Sequence, residues 1–159
     1  MRPETPATRP SPPAQKCAEE ATSKAARAGV PLTPGRRRIL DLLAQERKPL
    51  GAYQMIEKIG EATGKRPAPI SIYRALDFLL ENGLIHRLAS CNSYLACRHG
   101  HGDKEPIVFL ICEKCGQVIE ASSAELAEGL VTLATREHFQ PRMQVMEIAG
   151  LCEACCLQT

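Results

Sequence analysis

The front half of the chain sets apolar residues at helical spacing between short polar breaks, and the back half replaces them with brief apolar runs of strand length. An Ala-rich stretch from Lys16 to Ala28 predicts a first helix stopped by Gly29. Thr33-Pro34 offers an N-cap followed by proline at the first helical position, and Ile39, Leu40 and Leu43 continue as an apolar face. A third helix is predicted over Ala52–Ala62. After the turn residues from Gly64 to Pro69, Ile72, Leu76, Leu79 and Leu80 stand at i, i+4, i+7 and i+8, one stripe of a fourth helix that Asn82-Gly83 ends. Two β-runs, Leu84–Leu88 and Ser93–Cys97, join through a turn at Ser90–Asn92. Helices followed by a hairpin in this order predict a winged helix-turn-helix. Its last helix carries Arg74 opposite the apolar stripe, with Ser71 and Tyr73 on the flanks.

The back half follows a different rhythm. Strands are predicted over Ile107–Ile111, Gln117–Ala121 and Gln144–Ile148. Ser122-x-x-Glu125 is a capping box that opens a helix with Leu126, Leu130 and Leu133 on one side. His138 is expected in the last turn of that helix, where the dipole favours it. The predicted fold class is α+β: a tail over 1–14, a winged-helix DNA-binding domain over 15–98, a hinge over 99–106, and a small α/β domain over 107–159.

Charge divides along the same line. Residues 1–100 hold 16 Lys and Arg against 9 Asp and Glu, whereas residues 101–159 hold 4 against 9. A basic front half suits a polyanion, and the acidic back half has another task. Arg36, Arg37 and Arg38 fall in the first turns of their helix, where each cation opposes the dipole by about 0.3–1 kcal/mol. Either a solvated face or a phosphate contact accounts for them. No apolar run is long enough to span a bilayer, and five prolines in the first 13 residues exclude an apolar signal core. Eight cysteines without a leader point to a reducing, cytoplasmic setting, where spaced pairs read as metal ligands.

Two such pairs dominate the chemistry. Cys112/Cys115 and Cys152/Cys155 each follow an apolar strand, and 36 residues separate one pair from the other. Four thiolates close a tetrahedral shell around one zinc and leave no open position, so this metal is structural. Cys156 lies one residue beyond the favoured spacing, and Cys17 and Cys91 have no spaced partner. A second set is spread along the chain: His86 in the hairpin, Cys97 at its end, His99 and His101 in the hinge, and Glu120 on a later strand. A metal held by His86, Cys97, one hinge histidine and Glu120 would bridge both domains. Mixed N, S and O donors favour zinc. Neither a Ser-His-Asp order, a phosphate-cradling Gly loop nor a carboxylate pair is present, so nothing supports an enzyme. Thiol oxidoreduction would place Cys-x-x-Cys at the start of a helix in a βαβ unit, not after strands.

These pieces together resemble the ferric uptake regulator superfamily, and most closely its zinc-sensing branch. The likeness runs from Val30-Pro31-Leu32-Thr33-Pro34 to Cys155. It rests on Ile72-Tyr73-Arg74-Ala75-Leu76-Asp77-Phe78-Leu79-Leu80, Asn92-Ser93-Tyr94, the run from Phe109 to Gly116, and Gly150-Leu151-Cys152. The resemblance implies a homodimeric repressor that is active on palindromic double-stranded DNA when loaded with metal. It also implies one structural and one regulatory zinc per subunit, and control of genes for zinc uptake. In that branch the sensory ligands are His, Cys, His and Glu, matched here by His86, Cys97 and Glu120. The matching third position holds Glu105; of the nearby His99 and His101, His101 is expected to supply that ligand. Tyr53 and the Tyr73-Arg74 pair match residues that such proteins use on DNA, and Arg36 joins them as a phosphate contact. Relatives that sense iron, manganese or peroxide, and a constitutive winged-helix repressor with structural zinc alone, are the alternatives.

Overall fold

The computed structural model describes residue 23 and residues 25–26, 29–46, 48–97, 106–141 and 145–157. The predicted tail, most of the predicted first helix, Cys17 and the hinge residues His99, His101 and Glu105 lie outside the described residues. Helical backbone at Ser23 and Ala25–Ala26 precedes Gly29, which turns with φ +65.

Three helices build the front core. Helix α1 spans Pro34–Gln45, and Thr33 caps it by accepting from the Arg36 amide at 3.4 Å. Helix α2 spans Ala52–Thr63 and stops at Gly64, whose left-handed φ of +70 suits a residue without a Cβ. Helix α3 spans Pro69–Glu81 and opens on proline. Ile39, Leu40 and Leu43 of α1, Met55 and Ile59 of α2, and Ile72, Leu76 and Leu79 of α3 meet in one buried cluster. The apolar positions read from the sequence in α1 and α3 thus fall on the core side, with Leu80 at the edge, partly buried.

A hairpin follows, β1 (Ile85–Leu88) against β2 (Ser93–Ala96), with His86 opposite Leu95 and Arg87 opposite Tyr94. Leu50, ahead of α2, exchanges two backbone hydrogen bonds of 2.9 Å with Tyr94, which pins this wing to the helices.

The back half holds a three-stranded sheet in the order β4-β3-β5. Strand β3 covers Ile107–Cys112, antiparallel β4 covers Val118–Ala121, and parallel β5 covers Val145–Gly150. Helix α4 (Ala124–Arg136) joins β4 to β5, and a one-turn helix α5 (Glu153–Cys156) closes the described chain. Two expectations shift here. The cap of α4 is Ser123 rather than Ser122, because its hydroxyl accepts from the Leu126 amide at 3.3 Å while also touching the Glu125 carboxylate. His138 stands beyond the last turn, at φ +53; the Phe139 amide donates to the Ala134 carbonyl and the His138 amide to that of Thr135. That is a Schellman ending with histidine where glycine is usual, so the turn and not the dipole explains the residue.

Two rows of side chains run across the sheet on opposite faces. Ile119, Leu110 and Ile148 pair directly across the strands and are exposed. On the other face, Glu120, Phe109 and Glu147 pair in the same way, with Phe109 and Glu120 buried. Phe109 and Val118 pack against Leu88 and Leu95 of the hairpin in a second apolar cluster. This cluster straddles the predicted boundary, and Pro106 of the predicted hinge is already buried. Helix α4 buries none of its residues fully: Leu126 and Leu130 are half-buried and Leu133 is exposed. The apolar stripe expected there is only partly covered among the described residues.

Candidate metal centres and nucleic-acid interface

The first Cys pair sits where β3 ends. The Cys112 amide donates to the Gln117 carbonyl and the Gly116 amide to that of Cys112, folding residues 112–117 into a tight loop. Gly116 closes it at φ +71. The Glu113 amide donates to the Gly150 carbonyl at 2.9 Å, which fixes the loop beside the end of β5. Because β5 runs parallel to β3, its end delivers Cys152 and Cys155 to the same corner. The donor sulfurs of Cys112, Cys115, Cys152 and Cys155 all lie within 4.8 Å of one another.

The spacing suits zinc. A tetrahedral ion with Zn–S bonds near 2.3 Å sets its sulfurs roughly 3.8 Å apart, and Cys115 and Cys152 have theirs 3.7 Å apart. Electrostatics point the same way. Hydrogen bonds from the Cys152 and Cys115 amides bring the Cys112 thiol down to about 6, whereas the crowding Cys152 sulfur and burial push Cys155 up to about 12. Four thiols this close do not all ionise without a cation among them. Cys156, one residue on, is exposed and faces the Leu151 carbonyl at 3.8 Å instead.

The second cluster forms on the inner face of the sheet. His86 comes from β1, Cys97 from just past β2 and Glu120 from β4, with one donor atom of each within 4.8 Å of the others. His86 Nε2 lies 3.4 Å from Glu120 Oε1. Ligands about 2.1 Å from a tetrahedral zinc would stand roughly 3.4 Å apart. Burial alone would lower the pKa of His86, but its hydrogen bonds to Cys97 and Glu120 and their negative charge outweigh burial and raise it to about 9. Phe109 supports the histidine from below, ring centroid to ring centroid at 5.3 Å and tilted by 57°. This role of Phe109 follows from the register, in which it is the direct cross-strand partner of Glu120, and no local sequence pattern announces it.

The third feature is a basic, open face on the helices. Arg38 and Arg74, with Thr33, Ser71 and Pro67, line a groove of about 310 Å³ between α1 and the start of α3. Tyr53 is 71% exposed, and Tyr73 and Arg74 are also exposed. Arg36 lines the same groove and is half-buried. Its guanidinium carbon lies 3.4 Å from the centre of the Phe78 ring, and Nη1 donates to the Pro31 carbonyl at 3.5 Å. Arg38, a phosphate-contact candidate in the same run, is more open than Arg36.

The sequence pattern of the "Ferric uptake regulator family" matches residues 27–149. The chain belongs to that family. Within it, the zinc uptake regulation protein of Escherichia coli (strain K12) is 35% identical over 141 residues, which span 89% of this chain and 82% of the relative. A zinc uptake regulator solved in complex with zinc and DNA is 33% identical and superposes with a TM-score of 0.81, over 93% of this chain and 98% of that one. XcZur, at 35% identity, superposes with a TM-score of 0.77 in its holo form, over 88% of this chain and 96% of that one. The apo form reaches only 0.53, over 90% and 97%. Identity is the same and coverage nearly so, which leaves shape as the difference. This chain is folded nearer to the holo arrangement.

Proposed function

We propose that this chain is a zinc-responsive, DNA-binding repressor of zinc-uptake genes, acting in the cytoplasm as a homodimer and not as an enzyme. In this division of labour residues 15–98 read DNA, 99–106 form the hinge, and 107–159 dimerise. The observation that carries the proposal is the His86, Cys97 and Glu120 cluster, whose donors come from the DNA-facing hairpin and from the sheet behind it. A cluster built across that joint suits a switch, whereas the four-thiol cluster, built within one unit, suits a staple. The similarity to zinc uptake regulators, one of them solved on DNA, supports the same assignment.

Cys112, Cys115, Cys152 and Cys155 would hold the structural zinc, and His86, Cys97 and Glu120 the regulatory one, with His101 as the fourth ligand. The thiolate of Cys97 favours zinc over iron or manganese. When bound, each zinc supplies a dication that offsets the charge of its ligands and cross-links them. His86 and Glu120 then hold the hairpin against the sheet, and Phe109 excludes water from beneath the imidazole. The exposed row Ile119, Leu110 and Ile148, with Leu133 nearby in sequence on α4, offers the apolar surface that a second subunit would cover. In such a dimer the two α3 helices are held at one separation, as half-sites about 34–36 Å apart would require. Arg74 is assigned to a guanine edge, Tyr53 and Tyr73 to the adjoining groove, and Arg38, Arg36 and the start of α3 to phosphates. A differential affinity of about 5.5 kcal/mol for the closed arrangement would carry a 1:99 balance to 99:1.

Titrating zinc into the dimer in the presence of a palindromic operator tests this. Binding should tighten steeply as the second zinc per subunit is taken up. Equal affinity with and without a chelator for the labile ion would contradict a sensor.

A further inference from the structure

The inner row of the sheet carries a second carboxylate that neither metal cluster uses. Glu147, on β5, is the cross-strand partner of Phe109 on the side away from Glu120. Its Oε1 accepts from the Ala89 amide at 2.7 Å and its Oε2 from the Ser90 amide at 3.1 Å. Ala89 and Ser90 are the first residues after β1, in the turn of the wing. Both oxygens are thus committed to backbone of the DNA-facing half, 57 and 58 residues away in sequence. Burial would raise the carboxyl's pKa, but the hydrogen bonds from Ser90 and Ala89 prevail and lower it.

The hairpin therefore rests on three points of one row. Glu120 faces His86 at one edge, Phe109 lies under the His86 ring in the middle, and Glu147 grips the turn at the far edge. With strands about 4.8 Å apart, the two carboxylate-bearing strands are roughly 10 Å from each other. Contacts confined to the Glu120 and Phe109 side of the row leave the hairpin free to rock, and one at the far edge removes that freedom. We propose that Glu147 is a positioning residue of the closed arrangement: by holding the Ala89 and Ser90 amides it seats the wing on the sheet and pre-forms the His86, Cys97 and Glu120 cluster. The proposal rests on the metal-switched reading above, since what it positions is the joint that the sensory ion would close.

By linkage, a group that favours the closed arrangement favours zinc at the joint by the same factor. Two hydrogen bonds to a charged acceptor, partly open to solvent, set that factor on the order of tenfold. The test compares the full-length dimer with its Glu147→Ala variant, using zinc ions alone as the ligand. Zinc per subunit under competition with a fluorescent chelator is read alongside amide hydrogen exchange at Ala89 and Ser90. The variant should stay dimeric and keep its tightly held zinc, yet bind the second zinc about tenfold more weakly and lose protection at both amides. Unchanged second-site affinity together with unchanged amide exchange would overturn the proposal. Should wild type take up only one zinc, the sensor reading fails, and the exchange of the two amides still decides whether the latch exists. Should Glu147→Ala lose the dimer, Glu147→Gln decides, because it keeps one acceptor oxygen. Protection lost at one amide would support the latch, and protection kept at both would overturn it.

Discussion

Both donor clusters gather residues distant in sequence, but they join different things. The four thiols draw together the ends of β3 and β5, neighbours in one sheet that already share six residue pairs. His86, Cys97 and Glu120 draw together a hairpin and a sheet that meet, among the described residues, through a small apolar cluster around Leu88, Leu95, Phe109 and Val118, the His86–Phe109 ring contact and the Glu147 contacts. A tether between parts already paired adds stability and changes little else. A tether across a thin seam moves an equilibrium between arrangements. Location, more than ligand type, separates staple from switch.

The sharpest way to break this comparison is to remove one thiol from each side. Cys112→Ser should abolish the staple, whose zinc contributes on the order of 10 kcal/mol in small zinc folds. Circular dichroism and metal analysis should find a back half that no longer melts cooperatively and a chain that no longer dimerises. The next effect falls on the seam. Phe109 is fully buried, so Phe109→Ala should destabilise by about 3–5 kcal/mol in a urea titration. It should also weaken the second zinc site while leaving the first filled. If instead both sites lost zinc together, the seam would belong to the staple as well.

A smaller loss is expected on the open face. Arg74→Ala should weaken operator binding by about 1–3 kcal/mol and relax sequence preference, with zinc binding untouched. Protons should sharpen the contrast further. His86 is raised to about 9 by its partners, so in metal-free protein its pairing stabilises the joint fully below about 6.5 and is lost as pH rises through about 9. Zinc needs the neutral ring. Second-site affinity should therefore fall by about tenfold per pH unit for this one proton as pH drops below about 9. A flat profile in a chelator-competition titration across that range would remove His86 from the site.

Much of this was legible in the chain. Helix faces follow from a period that Ile72, Leu76 and Leu79 obey closely, and strands directly preceding Cys-x-x-Cys announce a zinc corner. His86, Cys97 and Glu120 were legible as a group through order along the chain and through family likeness, not through any local spacing. What stayed hidden depends on register. Nothing in the sequence near Glu147 says that it faces Phe109, because a strand's pairing partner is set by the whole sheet. The caps went astray by one residue at Ser122 and Ser123, since two adjacent serines offer the same chemistry and only backbone angles choose between them. The arginine run marks Arg36 as a cation, but its stacking on Phe78 is a tertiary contact that no run of charges encodes.

The most direct test sets Cys97→Ser beside wild type and measures operator affinity by fluorescence anisotropy at zero and at saturating free zinc. Wild type should tighten by two orders of magnitude or more, as a shift of about 5.5 kcal/mol between arrangements allows. The variant should remain a folded dimer with its four-thiol zinc in place and bind DNA equally weakly at both zinc levels. A Cys97→Ser dimer that tightens on zinc as wild type does would contradict the assignment of the switch to this joint.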